Sequence, residues 1–166
     1  GEGFNKYVQE AVRVLGQAVT QNRQRKDADK VEVKSATDNA ISAFAKMCRH
    51  KGKIMDLSRM LPVWLYWLPI QEDVSEAEAI YSMLCSLVEA SNQHILGPNM
   101  RHLPQIVKVM VSAIGTEFAS SEVSMRMGKI LTQIHGKMPK DMLTQLQQNL
   151  PEPVKQKMQK IIHQLS

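Results

Sequence analysis

One doublet constrains this chain more than any other feature, because it recurs. Leu61-Pro62 and Leu103-Pro104 each stand near the start of an apolar helical stretch, with the two prolines 42 residues apart. Each stretch is followed by a second amphipathic segment opening on acidic or small polar residues. These are Asp73-Val74-Ser75-Glu76 in the first case and Ser120-Ser121-Glu122 in the second. A unit of roughly 40–47 residues holding two helices cannot bury its apolar faces alone and does so by stacking on its neighbours. The expected fold is an all-α superhelix, and the expected function is an extended protein-binding surface rather than an enclosed catalytic pocket.

Composition agrees with that class. Hydrophobic residues make up 43% of the chain, aromatics only 5%, and methionine is abundant at 11. Unbranched methionine fills the irregular gaps of helix-on-helix cores. No long run alternates apolar and polar residues, and β-branched residues do not cluster between turns, so no strand is predicted. The period points to HEAT and armadillo repeats. Cys48 and Cys85 are too few for a disulfide framework. Both fall in helical apolar patterns, which predicts buried free thiols and a reducing compartment. No apolar run reaches the ~18–20 residues of a membrane span; residues 60–70 come closest and carry Pro62 and Pro69. The chain opens on glycine without a secretory pattern, and a piece of a longer protein is expected.

Periodicity predicts eight main helices over residues 4–22, 33–50, 56–68, 73–90, 100–118, 121–135, 139–149 and 152–164, grouped as repeats 4–52, 54–97, 99–136 and 138–166. In the first, Tyr7, Val8, Ala11, Val12, Leu15 and Val19 share a face. A short helical turn is expected at residues 93–96, before the Gly97-Pro98-Asn99 turn. Gly52 and Gly136 are read as helix terminators, Pro62 as a kink or a start of regular helix, and Pro104 as a first-turn proline. Residues 23–30 hold no large apolar side chain and are expected to form a solvated, mobile loop.

The net charge of +5 is unevenly placed: 0 over residues 1–22, +5 over 23–53, −5 over 54–100 and +5 over 101–166. An acidic band between two basic ones suits a segmented surface rather than a nucleic-acid groove. The cations Arg23, Arg25, Lys26 and Lys30 are interrupted by Asp27 and Asp29, with no aromatic interleaved for base stacking.

No catalytic motif is present: no glycine-rich phosphate loop, no Cys-x-x-Cys, no His-Glu-x-x-His. His94 and His102 flank the same turn, but a metal site needs further ligands. Cys48 lacks a positioned base, since His50, two residues on, points to another side of the helix. Neither an enzyme, nor a cofactor, nor a metal is expected. Trp64 and Trp67, at i and i+3, are read as plugs between helix pairs, with an aromatic pocket for a peptide as the alternative. Asp38 is read as a cap; with Asn39 it has the alternative of hydrogen bonding to a partner's backbone.

Four strings carry a resemblance: Asp38-Asn39-Ala40-Ile41-Ser42-Ala43; Met60-Leu61-Pro62-Val63-Trp64-Leu65-Tyr66-Trp67-Leu68-Pro69-Ile70-Gln71-Glu72-Asp73; His94-Ile95-Leu96-Gly97-Pro98-Asn99; and Leu103-Pro104-Gln105-Ile106. They resemble the C-terminal HEAT repeats of the importin-β (karyopherin-β) superfamily, in its importin-five or karyopherin-beta-three branch. The resemblance covers residues 36–114 and is architectural beyond Phe118. It implies a nuclear transport receptor that shuttles between cytoplasm and nucleus through the nuclear pore. Such receptors bind cargo on a concave face, contact Phe-Gly nucleoporins, and release cargo to the GTP form of Ran. Ran binds N-terminal repeats, expected to lie outside this chain. Family members are usually acidic, which suits basic cargo signals; this segment departs from that at +5, and the place left for a basic signal is its acidic band, with Glu72, Asp73, Glu76 and Glu78. The candidate contacts are Asp38, Asn39, Asp73, Glu76 and Glu78. Two other readings stand beside this one. A HEAT scaffold of a chromatin or translation complex is disfavoured by the string at residues 60–73. A basic RNA-binding module is disfavoured by the central acidic band.

Overall fold

The computed structural model describes residues 2–165. Among them it is all-α, with nine α-helices, two short 3-10 turns and no strand. The helices are α1 (Glu2–Gln24), α2 (Val31–Lys51), α3 (Leu57–Trp67), α4 (Val74–Glu89), α5 (Gln93–Leu96), α6 (Leu103–Ala113), α7 (Ser121–Lys137), α8 (Lys140–Gln148) and α9 (Glu152–Leu165). Packing runs mostly between helices close in sequence, as helical repeats require. No helix among the described residues is long and apolar enough to cross a membrane. The chain divides into two compact units, with the division falling inside α4 after Glu76.

In the first unit α2 is the central element, with α1 and α3 both packed on it. Ile41, Phe44, Ala45 and Cys48 of α2 are buried, as are Leu61, Trp64 and Leu65 of α3. Trp64 is a core residue, and its Nε1 has no hydrogen-bond partner among the described residues. Trp67 stands edge-on to Phe44, with ring centroids 4.8 Å apart at 73°, a favourable quadrupole arrangement. Of the apolar face expected on α1, Val8 and Val19 are buried, but Tyr7 is 78% exposed.

In the second unit, α6, α7 and α9 pack together around Ile106, Met110, Met127 and Leu131, and α8 packs on α6. Helix α9 buries Met158 and Ile161 and turns Lys160 to solvent. It comes so close to α7 that a Cβ on Gly128 would stand 2.5 Å from Leu165 Cδ1.

Several boundaries differ from those expected. Helix α2 begins at Val31, so Asp38 lies in its interior and not at its opening. Helix α3 keeps within a residue of its expected span with Pro62 in its interior, so of the two readings of Pro62 the start of regular helix does not hold. Helix α6 is shorter at both ends than the expected 100–118. Before it, Gly97, Asn99 and Met100 adopt φ of 72°, 52° and 56°; after it, Gly115 has φ of 75°. Left-handed residues cannot propagate a right-handed helix. Helix α7 runs through Gly136 and stops at Lys137 because Met138, at φ −76° and ψ 136°, precedes Pro139. The ring of a proline clashes with a helical residue before it, so Pro139 is the terminator. The stretch after α1 is exposed but folded into successive turns. Ala28 N–H donates to the Arg25 carbonyl and Lys30 N–H to that of Asp27, and Arg25 grips the Asp27 carboxylate at 2.7 and 2.9 Å. Arg23 belongs to α1 and donates to the Trp67 carbonyl.

Candidate protein-binding surface

In the first unit the acidic residues after α3 are organised by one buried carboxylate. Asp38 is 1% exposed. Its oxygens accept from the backbone N–H groups of Gln71 at 3.2 and 3.0 Å, Glu72 at 2.7 Å and Asp73 at 3.0 Å. Three successive amides aimed at one anion form a concave nest. They are also the amides leading into α4, where a helix start leaves donors without intrahelical partners. Asp38 therefore does not cap its own helix; it anchors the turn before α4, on a segment 33 to 35 residues away.

What that segment presents is a set of carboxylates already in contact with cations and hydroxyls. Glu72 lies 3.6 Å from Lys34 Nζ. Asp73 Oδ1 accepts from Ser75 Oγ at 2.6 Å and from Glu76 N–H at 3.2 Å, which caps the first turn of α4. Glu76 accepts from Ser42 Oγ and from Lys46 Nζ at 3.0 Å. Ser42 and Lys46 are one turn apart on α2 and so share a face. The hydrogen bond from Lys46, then that from Ser42, holds the Glu76 carboxyl below the usual carboxylate range. Asn39, next to Asp38, is exposed.

Thus four of the five candidate contacts, Asp38, Asn39, Asp73 and Glu76, lie in the first unit. Glu78 belongs to the second unit and does local work there: it accepts from Ser120 N–H at 3.2 Å and Ser120 Oγ at 2.8 Å. Ser120 in turn caps α7 by accepting from Val123 N–H. Arg126, which sequence reasoning passed over, ties α7 to α4 in this unit. It donates to Ser82 Oγ and Ser86 Oγ at 3.0 Å each and to the Glu89 carboxylate at 2.7 Å. The signal was present as a polar stripe at i, i+4 and i+7 on α4.

The tryptophans divide. Trp64 is core, whereas Trp67 borders a cavity of about 420 Å³ lined by Val8, Val12 and Gly16 of α1, Phe44 of α2, and Val63 of α3. Among the described residues no three His, Cys, Asp or Glu side chains are grouped as a metal site. Burial pushes the Cys48 thiol up to about 12 and that of Cys85 up to about 11, so neither is a thiolate at neutral pH.

His102 is 7% exposed, and its Nε2 accepts from Arg101 Nε at 3.3 Å. Burial, then the Arg101 charge, pulls its pKa below 6.5. The folded state then binds a proton less readily than the unfolded one, so stability rises with pH. The second unit is expected to keep its full stability above about pH 6.5 and to lose it as acid protonates the unfolded chain first. Urea midpoints between pH 7.5 and 5 should fall in the native chain and fall less in His102→Gln. Parallel declines in the two proteins would exclude His102 as the source.

No family profile matches the chain. Several curated relatives do, and two of them, at low identity, are importins. The probable importin-5 homolog of Dictyostelium discoideum is 29% identical over 119 residues, 68% of this chain and 10% of that protein. The probable importin subunit beta-4 of Schizosaccharomyces pombe is 26% identical over 81 residues, 49% of this chain and 7% of that protein. The chain is therefore distantly similar to members of the importin-β family and spans a tenth or less of their length.

Proposed function

We propose that this chain is a non-enzymatic, protein-binding HEAT-repeat segment of an importin-β-type nuclear transport receptor. In this reading the acidic surface of its first unit receives basic segments of protein cargo. The observation that carries the reading is the Asp38 nest. It holds Glu72, Asp73 and Glu76 on a rigid turn at the start of a helix, so their charge is positioned without ordering on binding. Asn39 offers a neutral donor and acceptor from the adjacent position. An incoming ammonium or guanidinium takes the place of Lys34 and Lys46, exchanging one ion pair for another. The gain is consequently small per contact and falls with salt. Glu78, in the second unit, is an accessory contact to be tested separately. The wider biology of the reading, Ran-controlled release, Phe-Gly nucleoporin contacts and residence in cytoplasm, nucleus and pore, belongs to the whole receptor. It rests on the similarity to importins.

Asp73→Asn with Glu76→Gln keeps hydrogen-bonding groups in place and removes two charges. The affinity of a fluorescent Lys/Arg-rich peptide should fall roughly fivefold, about 1 kcal/mol, with helical content unchanged. Equal affinity in native and variant chains would remove this surface from the binding site. A pull-down from cytosol with the full-length parent, with and without GTP-locked Ran, tests the class of function. Partners released by Ran support a transport receptor; partners indifferent to Ran point to a scaffold.

A further inference from the structure

The second unit carries a groove that the cargo reading does not use. Two cavities of about 390 and 310 Å³ adjoin each other, with Met100, Leu103, Met138 and Met142 in the walls of both. Ile134 and Leu96 extend the apolar lining of the first. Methionine side chains are flexible and polarizable, and surfaces rich in them repack around varied apolar partners. Met100 is held in the left-handed region at φ 56° and is 46% exposed. A long side chain in that conformation is strained, and here the strain accompanies a side chain turned into the groove wall. The charged groups of the lining have one sign left over. Glu89 is neutralised by Arg126 at 2.7 Å. Lys137 lines the first cavity with no ion-pair partner among the described residues. Arg101 lines the second, giving one N–H to the neutral ring of His102.

We propose that this groove binds an acidic amphipathic helix of a partner protein, with apolar side chains seated on the methionines and Asp or Glu residues meeting Lys137 and Arg101. The floor shared by the two cavities is methionine and leucine, while Ser91 and Gln133 line the first and Asn99, Gln145 and Asn149 the second at their edges. An occupant that satisfies its own main chain, as a helix does, suits that apolar floor and leaves the edge groups to its polar face. The cationic flanks select its charge. This site is distinct from the acidic surface of the first unit and prefers the opposite partner charge.

The test uses the whole chain with 13C-methyl methionine and a fluorescent peptide of about 16 residues, helical, with leucines on one face and glutamates elsewhere; its control carries lysines at the glutamate positions. The acidic peptide should bind at least tenfold tighter than the lysine control. It should shift the methyl resonances of Met100, Met138 and Met142 and leave those of Met55 and Met60 in place. Lys137→Glu, at an exposed position, should lower the affinity at least fivefold without changing the unbound spectrum. Equal affinity for the two peptides, shifts confined to Met55 and Met60, or indifference to Lys137→Glu would each overturn the proposal. Shifts of Met100, Met138 and Met142 that appear on raising protein concentration without peptide would also overturn it and assign the groove to a second copy of the chain.

Discussion

Replacing Asp38 by alanine is expected to destabilise the first unit by about 3–5 kcal/mol, one of the largest single-residue effects outside its apolar core. The carboxylate is buried and accepts from three backbone amides. Its removal leaves those donors unpaired, each at a penalty of about 1–3 kcal/mol less whatever water enters. Asp38→Asn keeps an acceptor but loses the charge, and should fall between alanine and the native chain. Because the chain has two compact units, a global melt need not be two-state. Hydrogen exchange at the Gln71, Glu72 and Asp73 amides reads the effect directly. Protection there should collapse in Asp38→Ala while core amides of the second unit stay protected. A loss under about 1 kcal/mol, with those amides still protected, would mean that the nest does not hold the segment. By contrast Asp73→Ala removes only a helix cap and should cost about 1 kcal/mol.

Gly97→Ala is the second large effect, expected at about 2–4 kcal/mol. Gly97 sits at φ 72° and ψ 168°, outside the left-handed helical well in a region essentially reserved for glycine, where an L-residue costs about 1–3 kcal/mol. A Cβ there would also stand 2.4 Å from Cδ2 and 2.8 Å from Nε2 of His102, whose ring is buried and cannot swing away. Gly115 is the control. It has nearly the same φ, 75°, but no atom within 4 Å of where its Cβ would stand. Gly115→Ala should carry the conformational cost alone. If urea midpoints place the two alanine variants at equal stability, steric contact with His102 contributes nothing and the account of Gly97 is wrong.

Much of the helical layout was legible because 3.6-residue periodicity is a local property. Helices α1, α4 and α9 and the short turn at Gln93–Leu96 stand within a few residues of their expected places, and Cys48 and Cys85 are buried as their patterns implied. Errors cluster where backbone conformation overrides residue preference. Met100 read as the first residue of a helix but adopts a left-handed φ, and the start of α6 moves to Leu103. Gly136 read as a stop yet continues α7, since glycine in a helix is only unfavourable by about 1 kcal/mol, whereas proline forbids the conformation of the residue before it.

The candidate surface was legible as composition and not as arrangement. The acidic band was visible, but not that Glu76 is gripped by Ser42 and Lys46, nor that Glu78 completes the cap of α7. Such partners are 30 to 42 residues apart in the chain, and no local pattern couples them. What the amino-acid order determined by itself is the all-α class, the position of most helices and the alternation of charge along the chain, each set by neighbours within a few residues. What only the tertiary structure decided is which carboxylates face solvent and which are spent inside. Asp38 has the same chemistry as Asp73 in the sequence, yet packing of α3 and the following turn onto α2 removes it from water and brings three amides to it. A side chain's role follows from its desolvation and its partners, and both are set by contacts that form only when distant segments meet.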